Sequence, residues 1–178
     1  VTPLTASLQA NKWCNSRCEY CGIWKNNPGN PLIEDLYLAV DELNELGVQM
    51  ISLTGGEPFL NNDLYQVIQR MNDKQVISST MTNGLLLNSK HLQLILEAGL
   101  NSLCVSLDSI DPSIYKSIRG VSLAPVLKGL KYVADIRNQY PMLFVFSVNC
   151  VISKANIDGV SDLVAFCNDL DISVGFQP

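Results

Sequence analysis

The 178-residue sequence is poor in positive charge, has a single histidine and lacks any long apolar run. Its 12 Lys and Arg are outnumbered by 17 Asp and Glu and form no cluster, so a surface that gathers phosphates is not expected. No apolar run approaches the roughly 20 residues that a membrane-spanning helix requires. The first 13 residues also lack the basic and apolar regions of a signal peptide. We therefore expect no membrane span, no leader segment and no direct nucleic-acid binding.

A disulfide scaffold is also excluded, although the chain has six cysteines. Apolar residues make up 47% of the sequence, which is enough to bury one sizeable core without covalent cross-links. Cysteines in a chain of this kind are typical of a reducing compartment, so the predicted location is the cytoplasm. The length predicts one domain over residues 1–178.

Short segments rich in β-branched residues alternate with segments of helical periodicity. A first strand is predicted at SLQANKW, residues 7–13, and five major helical segments each lead to a further strand. A short extra helix is expected after Asp111 and Pro112. Because helical crossovers join parallel strands, the sequence predicts one parallel sheet. Its later five strands are predicted within residues 50–56, 75–84, 101–109, 143–153 and 172–178.

The alternation within the fourth and fifth strands predicts the shape of this sheet. In NSLCVSLDS the leucines and valine point to one face, while Cys104, Ser106 and Asp108 point to the other. Ser147 and Asn149 repeat the pattern on the next strand. A doubly wound sheet would bury these polar residues under helices. The pattern therefore favours a curved, partial α/β barrel with a polar mouth at the C-terminal ends of its strands.

Three cysteines, Cys14, Cys18 and Cys21, lie within the eight residues CNSRCEYC, after the first predicted strand. Thiolates this close together suit a soft metal centre, either zinc or an iron–sulfur cluster. Structural zinc requires four ligands, and the lone His91 lies far along the chain in a predicted helix, where we expect a solvated or capping role. The spacing therefore favours an iron–sulfur cluster with one iron that has no protein ligand.

CNSRCEYC is followed by TGGEP at 54–58, TNG at 82–84 and SLDS at 106–109, each at the end of a predicted strand. This series resembles the radical S-adenosylmethionine (SAM) superfamily from the first strand to the last residue. The resemblance implies a partial (β/α)6 TIM-like barrel. It also implies that Cys14, Cys18 and Cys21 hold a [4Fe–4S] cluster whose fourth iron chelates the amino and carboxylate groups of SAM.

The resemblance further implies which residues contact SAM at the first two motifs. Tyr20 matches an aromatic position that packs near the adenine, although a tyrosine here could equally shield the loop. Gly55 and Gly56 let backbone carbonyls approach the ammonium group closely, because a Cβ would obstruct it. Glu57 and Pro58 fix the turn that follows.

Later motifs supply the remaining expected contacts with SAM. Ser106 and Asp108 resemble residues that contact the carboxylate and the ribose hydroxyls, and their chemistry suits this because Ser donates and Asp accepts hydrogen bonds. Arg119 resembles an arginine that pairs with the methionyl carboxylate, with a solvated surface role as the alternative. Asn83 is a candidate at the mouth or a residue of an Asn-Gly turn. Further candidates at the mouth are Asn149 and Gln177.

The resemblance implies an enzyme that cleaves SAM reductively to a 5′-deoxyadenosyl radical, with electrons from a flavodoxin or ferredoxin-type donor. The radical would abstract a hydrogen atom from an unidentified small-molecule, lipid-precursor or peptide substrate. Two alternatives remain: an activating or methyl-transferring member of the superfamily, and a non-enzymatic barrel that binds zinc or a redox cluster.

The chain stops at the end of the sixth predicted strand, so we expect the core domain of a longer protein. The other three cysteines lie in apolar segments and are predicted to act as small hydrophobic residues. They are Cys104, Cys150 and Cys167.

Overall fold

The computed structural model describes residues 3–26, 28–139 and 144–178. Within them, one sheet of six parallel strands has its strands in chain order, each paired with the next. This arrangement confirms the predicted open α/β barrel with one helical crossover after another. The strands are β1 (Thr5–Asn11), β2 (Met50–Gly55), β3 (Ile77–Thr82), β4 (Ser102–Ser106), β5 (Val145–Val151) and β6 (Ser173–Gln177).

All five major helical segments form, and so does the short helix expected after Asp111. Asp111 caps that helix by accepting hydrogen bonds from the backbone N–H groups of Ser113 and Ile114, at 2.8 and 2.9 Å. The helices are α1 (Ile33–Glu45), α2 (Leu64–Asp73), α3 (Ser89–Glu97), α4 (Pro112–Arg119), α5 (Ala124–Gln139) and α6 (Val160–Asp169). Short 3-10 turns add Ile23–Lys25, Pro58–Leu60 and Ile157–Gly159.

The first strand is displaced from its predicted position. It covers Thr5–Asn11 rather than residues 7–13, because the Asn11 side chain accepts a hydrogen bond from the Trp13 N–H at 2.6 Å and turns the chain out of the sheet. The predicted fifth strand began at Leu143, which lies outside the described residues, and β5 itself begins at Val145.

Helices cover the convex face of the sheet, where Leu103, Val105 and Leu107 are fully buried, as the alternation predicted. The concave face is different. Small hydroxyl side chains form one row across four neighbouring strands, and each is at least partly exposed. Closed barrels fill this space with bulky branched residues, so the small side chains leave room on the concave side. The row consists of Ser7, Ser52, Ser79 and Ser102.

Across the described ranges, none of the helices combines the length and apolar character that crossing a membrane would require.

Candidate functional site

A cavity of about 280 Å³ lies at the C-terminal edge of the sheet and is lined by residues from the ends of β2 to β6 and from the loop after β1. All of the predicted site residues line it except Pro58 and Asp108. Pro58 is buried at the start of the turn that follows β2, and Asp108 lies behind the cavity wall. The predicted site residues that line it are Cys14, Cys18, Tyr20, Cys21, Gly55, Gly56, Glu57, Asn83, Ser106, Arg119, Asn149 and Gln177.

The loop that carries the three cysteines is attached to the C-terminal end of α4. The backbone N–H groups of Arg17 and Glu19 donate to the carbonyl oxygens of Arg119 and Ile118, both at 2.9 Å. These bonds satisfy carbonyl groups that the end of a helix leaves without a partner. Gly120 directly follows the helix with φ +68°, and a Cβ there would lie 2.8 Å from the Arg17 Cβ. The end of α4 therefore sets the path of the cysteine loop.

Two of the three sulfurs receive hydrogen bonds within the site. Cys14 Sγ accepts from the Ser16 N–H at 3.4 Å and from Asn83 Nδ2 at 3.8 Å, while Cys18 Sγ accepts from Arg119 Nη1 at 3.8 Å. Burial is the main cause that raises the pKa of both thiols above the ordinary value. Both are therefore protonated at neutral pH when nothing is bound, and metal binding must release their protons.

The donor set fits a [4Fe–4S] cluster. In the ranges that the structure describes, no three His, Cys, Asp or Glu side chains converge as the ligands of a single metal ion do. A cubane cluster asks for a different arrangement, because each thiolate binds a different iron atom. Three free cysteines on one loop, facing one cavity, meet that requirement and leave one iron without a protein ligand. His91 does not line this cavity; its ring hydrogen-bonds with Tyr65 Oη.

Glu57 joins the turn after β2 to the end of β3. Its Oε1 accepts from Thr82 Oγ1 at 2.7 Å and from the Phe59 N–H at 3.2 Å, and its Oε2 accepts from the Asn83 N–H at 2.7 Å. Only 1% of the residue is exposed, and burial raises the pKa of Glu57 to about 7. The carboxyl group thus holds the walls of the cavity together, as its predicted role in the turn requires.

The free energy of unfolding is expected to depend on pH through the Glu57 carboxyl group. Between its ordinary pKa of 4.5 and the folded value of about 7, the folded chain keeps a proton that the unfolded chain has released. The contribution of Glu57 to stability is therefore largest below about pH 4.5 and is lost as the pH rises to about 7, on the order of 3 kcal/mol. Urea unfolding of the wild type and Glu57→Gln, without oxygen, should show this slope only in the wild type. Equal pH dependence in both proteins would contradict it.

Asn83 links β3 to the cysteine loop. Its Oδ1 accepts from the Leu85 N–H at 3.0 Å, which is the turn role considered above, and its Nδ2 donates to Asn15 Oδ1 at 2.6 Å and to Cys14 Sγ. One side chain therefore serves both the Asn-Gly turn and the position of the first cysteine.

Asp108 faces the interior, but a cation covers it. Its Oδ2 accepts from Arg119 Nε at 2.5 Å and from Tyr20 Oη at 2.9 Å, and its Oδ1 accepts from Arg119 Nη2 at 2.8 Å and from the Val151 N–H at 2.9 Å. Burial opposes the charge of Arg119, but the hydrogen bonds and charge of Asp108 prevail and raise the pKa of the guanidinium group. Asp108 was predicted to contact the ribose, but its carboxylate is already bound to protein groups. Arg119 lines the cavity in its place.

A polar wall completes the site on β4, β5 and β6. Ser106 and Asn149 are paired in register on neighbouring strands, and Asn149 Nδ2 donates to Gln177 Oε1 at 3.3 Å. Several lining residues were not predicted from the sequence, although three of them, Ser16, Thr54 and Thr82, lie inside the quoted motifs. Met81 and Thr54 also follow the period-two alternation of their strands toward the concave face. The missed residues are Ser16, Thr54, Met81, Thr82 and Val151.

The open parallel sheet and the three-cysteine loop after its first strand define an α/β partial barrel with a site for a thiolate-ligated cluster. The chain belongs to the radical SAM superfamily, whose family model matches residues 9–166. The cofactors of this family are a [4Fe–4S] cluster and SAM.

Curated relatives agree with this assignment. The GTP 3′,8-cyclase of Staphylococcus saprophyticus is 34% identical over 95% of this chain and 52% of its own length. The probable GTP 3′,8-cyclase of Methanocaldococcus jannaschii is 32% identical over 88% of this chain and 52% of its own. The chain thus spans about half the length of the curated relatives it matches.

Two solved structures share the fold at low sequence identity. Streptococcus suis SuiB bound to S-adenosylmethionine has a TM-score of 0.84 and 19% identity, over 99% of this chain and 41% of its own. Native anSMEcpe with bound AdoMet has a TM-score of 0.74 and 20% identity, over 98% of this chain and 52% of its own. At these identities the likeness shows the fold alone.

Proposed function

We propose that the chain is the SAM-cleaving core of a radical SAM enzyme in which Cys14, Cys18 and Cys21 hold the [4Fe–4S] cluster. One observation carries the proposal: the three thiols line the same cavity as the strand-end residues that suit SAM. When bound, the cluster and SAM supply a 5′-deoxyadenosyl radical that abstracts a hydrogen atom from the substrate. A flavodoxin or ferredoxin-type protein in the cytoplasm is the proposed source of the electron.

The chain's own residues would bind and orient SAM from two sides of the cavity. On one side, Gly55 and Gly56 bring the backbone close to the cavity, where backbone carbonyl oxygens can accept hydrogen bonds from an ammonium group. On the other side, Ser106, Asn149 and Gln177 offer hydroxyl and amide groups for the carboxylate and the ribose.

The substrate would lie toward the concave face of the sheet, where small hydroxyl side chains leave room below the cavity. The row of serines suits a polar substrate, because it offers hydroxyl groups for hydrogen bonding. A radical reaction also requires that competing hydrogen donors be kept away from the reacting C–H bond, so the open side of the sheet needs a cover during turnover.

GTP is a more specific, second candidate for the substrate of the proposed enzyme. It is favoured by the 34% identity with a GTP 3′,8-cyclase over nearly the whole chain. Among the described residues that line the cavity, Arg119 is the single cation, and it is already paired with Asp108. If GTP is the substrate, its triphosphate must therefore be bound by groups beyond this cavity wall.

The test uses protein that is purified and reconstituted with iron and sulfide in the absence of oxygen. We expect the electron paramagnetic resonance (EPR) spectrum of the reduced cluster to change when SAM is added, and 5′-deoxyadenosine to form under reducing conditions. Zinc in place of iron, or a cluster that does not respond to SAM, would overturn the proposal. Addition of GTP tests the second candidate, because GTP as substrate predicts faster 5′-deoxyadenosine formation, whereas an unchanged rate shows that this chain alone does not act on GTP and leaves the first proposal standing.

A further inference from the structure

Arg119 makes contacts inside the protein through all three of its side-chain nitrogens. Two of them, Nε and Nη2, donate to the two oxygens of Asp108 at 2.5 and 2.8 Å. The third, Nη1, donates to Cys18 Sγ at 3.8 Å. Because a forked pair fixes the plane of the guanidinium group, the third nitrogen has little freedom to point elsewhere.

The carboxylate that holds this fork is itself rigidly placed. Its side chain is completely buried, and the Val151 N–H and Tyr20 Oη bind its oxygens from two other segments, both at 2.9 Å. The Asp108 carbonyl oxygen also accepts from Asn156 Nδ2 at 2.8 Å. The direction of the Arg119 side chain is therefore set by protein groups around the ends of β4 and β5.

The sulfur that receives the third contact belongs to the same rigid unit. The residues on either side of Cys18, Arg17 and Glu19, are hydrogen-bonded through their backbones to Arg119 and Ile118 at the end of α4. Both ends of the contact between Arg119 Nη1 and Cys18 Sγ are thus fixed to one helix terminus. Protein groups alone hold this contact in place.

We propose that Arg119, held by Asp108, is a positioning residue that donates to the Cys18 thiolate and raises the reduction potential of the cluster bound to it. This inference rests on the proposed function, because it requires Cys18 to be a cluster ligand. Reduction adds one negative charge to the cluster, and a nearby cation with a hydrogen bond to sulfur stabilises that charge. In a site shielded from water the effect of one such cation is larger than at a surface.

Arg70 provides a matched control for Arg119 and its contacts with Asp108 and Tyr20. Arg70 on α2 donates through Nε to Asp41 Oδ1 on α1 at 3.0 Å and lies 5.8 Å from the ring centre of Tyr37. Arg119 stands in the same relation to Asp108 and Tyr20, with its guanidinium 5.5 Å from the ring centre of Tyr20. The side chain of Arg70 is 37% exposed, against 7% for Arg119, and it does not line the cavity.

The experiment is a redox titration of the reconstituted cluster, followed by EPR in the absence of SAM. At the potential that half-reduces the wild-type cluster, we expect the ratio of reduced to oxidised cluster in Arg119→Met to be about tenfold lower, which is about 59 mV for one electron. Arg119→Lys keeps the charge without the fork and should recover part of the shift. Arg70→Met should titrate as the wild type does.

A second variant guards against a failure to fold, since Arg119→Met leaves the buried Asp108 without its cation. The double variant Arg119→Met/Asp108→Asn removes both charges, which proteins tolerate better than the loss of one. Its titration should shift in the same direction by a smaller amount. Variants with full iron and sulfide content and a wild-type titration curve would overturn the inference alone. Wild-type protein that binds no cluster would overturn the proposed function instead.

Discussion

Cys14→Ala is expected to abolish the cluster and, with it, the formation of 5′-deoxyadenosine. Cys14 is held toward the cavity by hydrogen bonds from the Ser16 N–H and Asn83 Nδ2, so no other cysteine can take its place without rebuilding the loop. Two remaining thiolates would leave two irons of a cubane without protein ligands. Iron should fall from about four atoms per chain to fewer than about one. The rate of 5′-deoxyadenosine formation should fall at least about 100-fold.

The matched control is Cys167→Ala, which removes a sulfur from the core instead. Cys167 is fully buried on α6 and belongs to the hydrophobic cluster behind the sheet. Its loss should lower the free energy of unfolding by about 1 kcal/mol and leave iron content unchanged. Iron and sulfide assays on both variants test whether Cys14 is a cluster ligand. If Cys14→Ala keeps a full cluster, or if both variants lose it equally, Cys14 is not a ligand.

The fold could be predicted from local patterns of apolar and polar residues in the sequence. In β4 the apolar residues Leu103 and Val105 alternate with Cys104 and Ser106, and the structure buries the first pair under helices and turns the second pair toward the concave face. The helices are similarly readable because apolar residues recur every three or four positions. A periodic pattern needs no knowledge of distant contacts, since it records which face of each element is covered.

Local sequence patterns do not predict the ion pair and the long-range hydrogen bonds of the site. Asp108 is placed on the inner side by alternation, but nothing in the strand reveals that Arg119 will fold back over it from the end of α4. Glu57 is recognised as part of a turn, whereas two of its three hydrogen-bond donors lie at the end of β3: Thr82 is its last residue and Asn83 follows it. Partners this far apart in the chain become visible only when the sheet brings strand ends together.

Boundaries show the same limit on a smaller scale. The first strand is predicted at residues 7–13 but covers Thr5–Asn11, so its predicted position is two residues late. A side chain ends the strand, through the hydrogen bond between Trp13 N–H and Asn11 Oδ1. Such an interaction leaves no periodic signal, so strand ends are predicted less well than strands.

Gly56→Ala is expected to displace the cysteine loop although the substitution adds a single methyl group. A Cβ at Gly56 would lie 1.9 Å from the Trp13 carbonyl oxygen and 3.0 Å from the Cys14 backbone nitrogen. Both are backbone atoms next to a predicted cluster ligand, so no side-chain rotation can relieve the overlap. The shift would also strain the hydrogen bond from the Glu57 N–H to the Trp13 carbonyl oxygen, now 2.8 Å. We expect a loss on the order of 3 kcal/mol in the free energy of unfolding, together with much weaker retention of iron.

Gly22→Ala supplies the comparison, because Gly22 directly follows the third cysteine and a Cβ there would meet nothing within 4 Å. Its φ of −101° also suits alanine, so stability should change by no more than about 0.5 kcal/mol and iron content should stay at the wild-type level. Thermal unfolding and iron analysis of the two variants, without oxygen, measure both effects. If Gly56→Ala matches Gly22→Ala in both measurements, the close approach of the GGEP turn to the cysteine loop does not position the cluster. If only Gly56→Ala loses iron, the turn after β2 shapes the cluster site through a backbone contact that any larger residue would break.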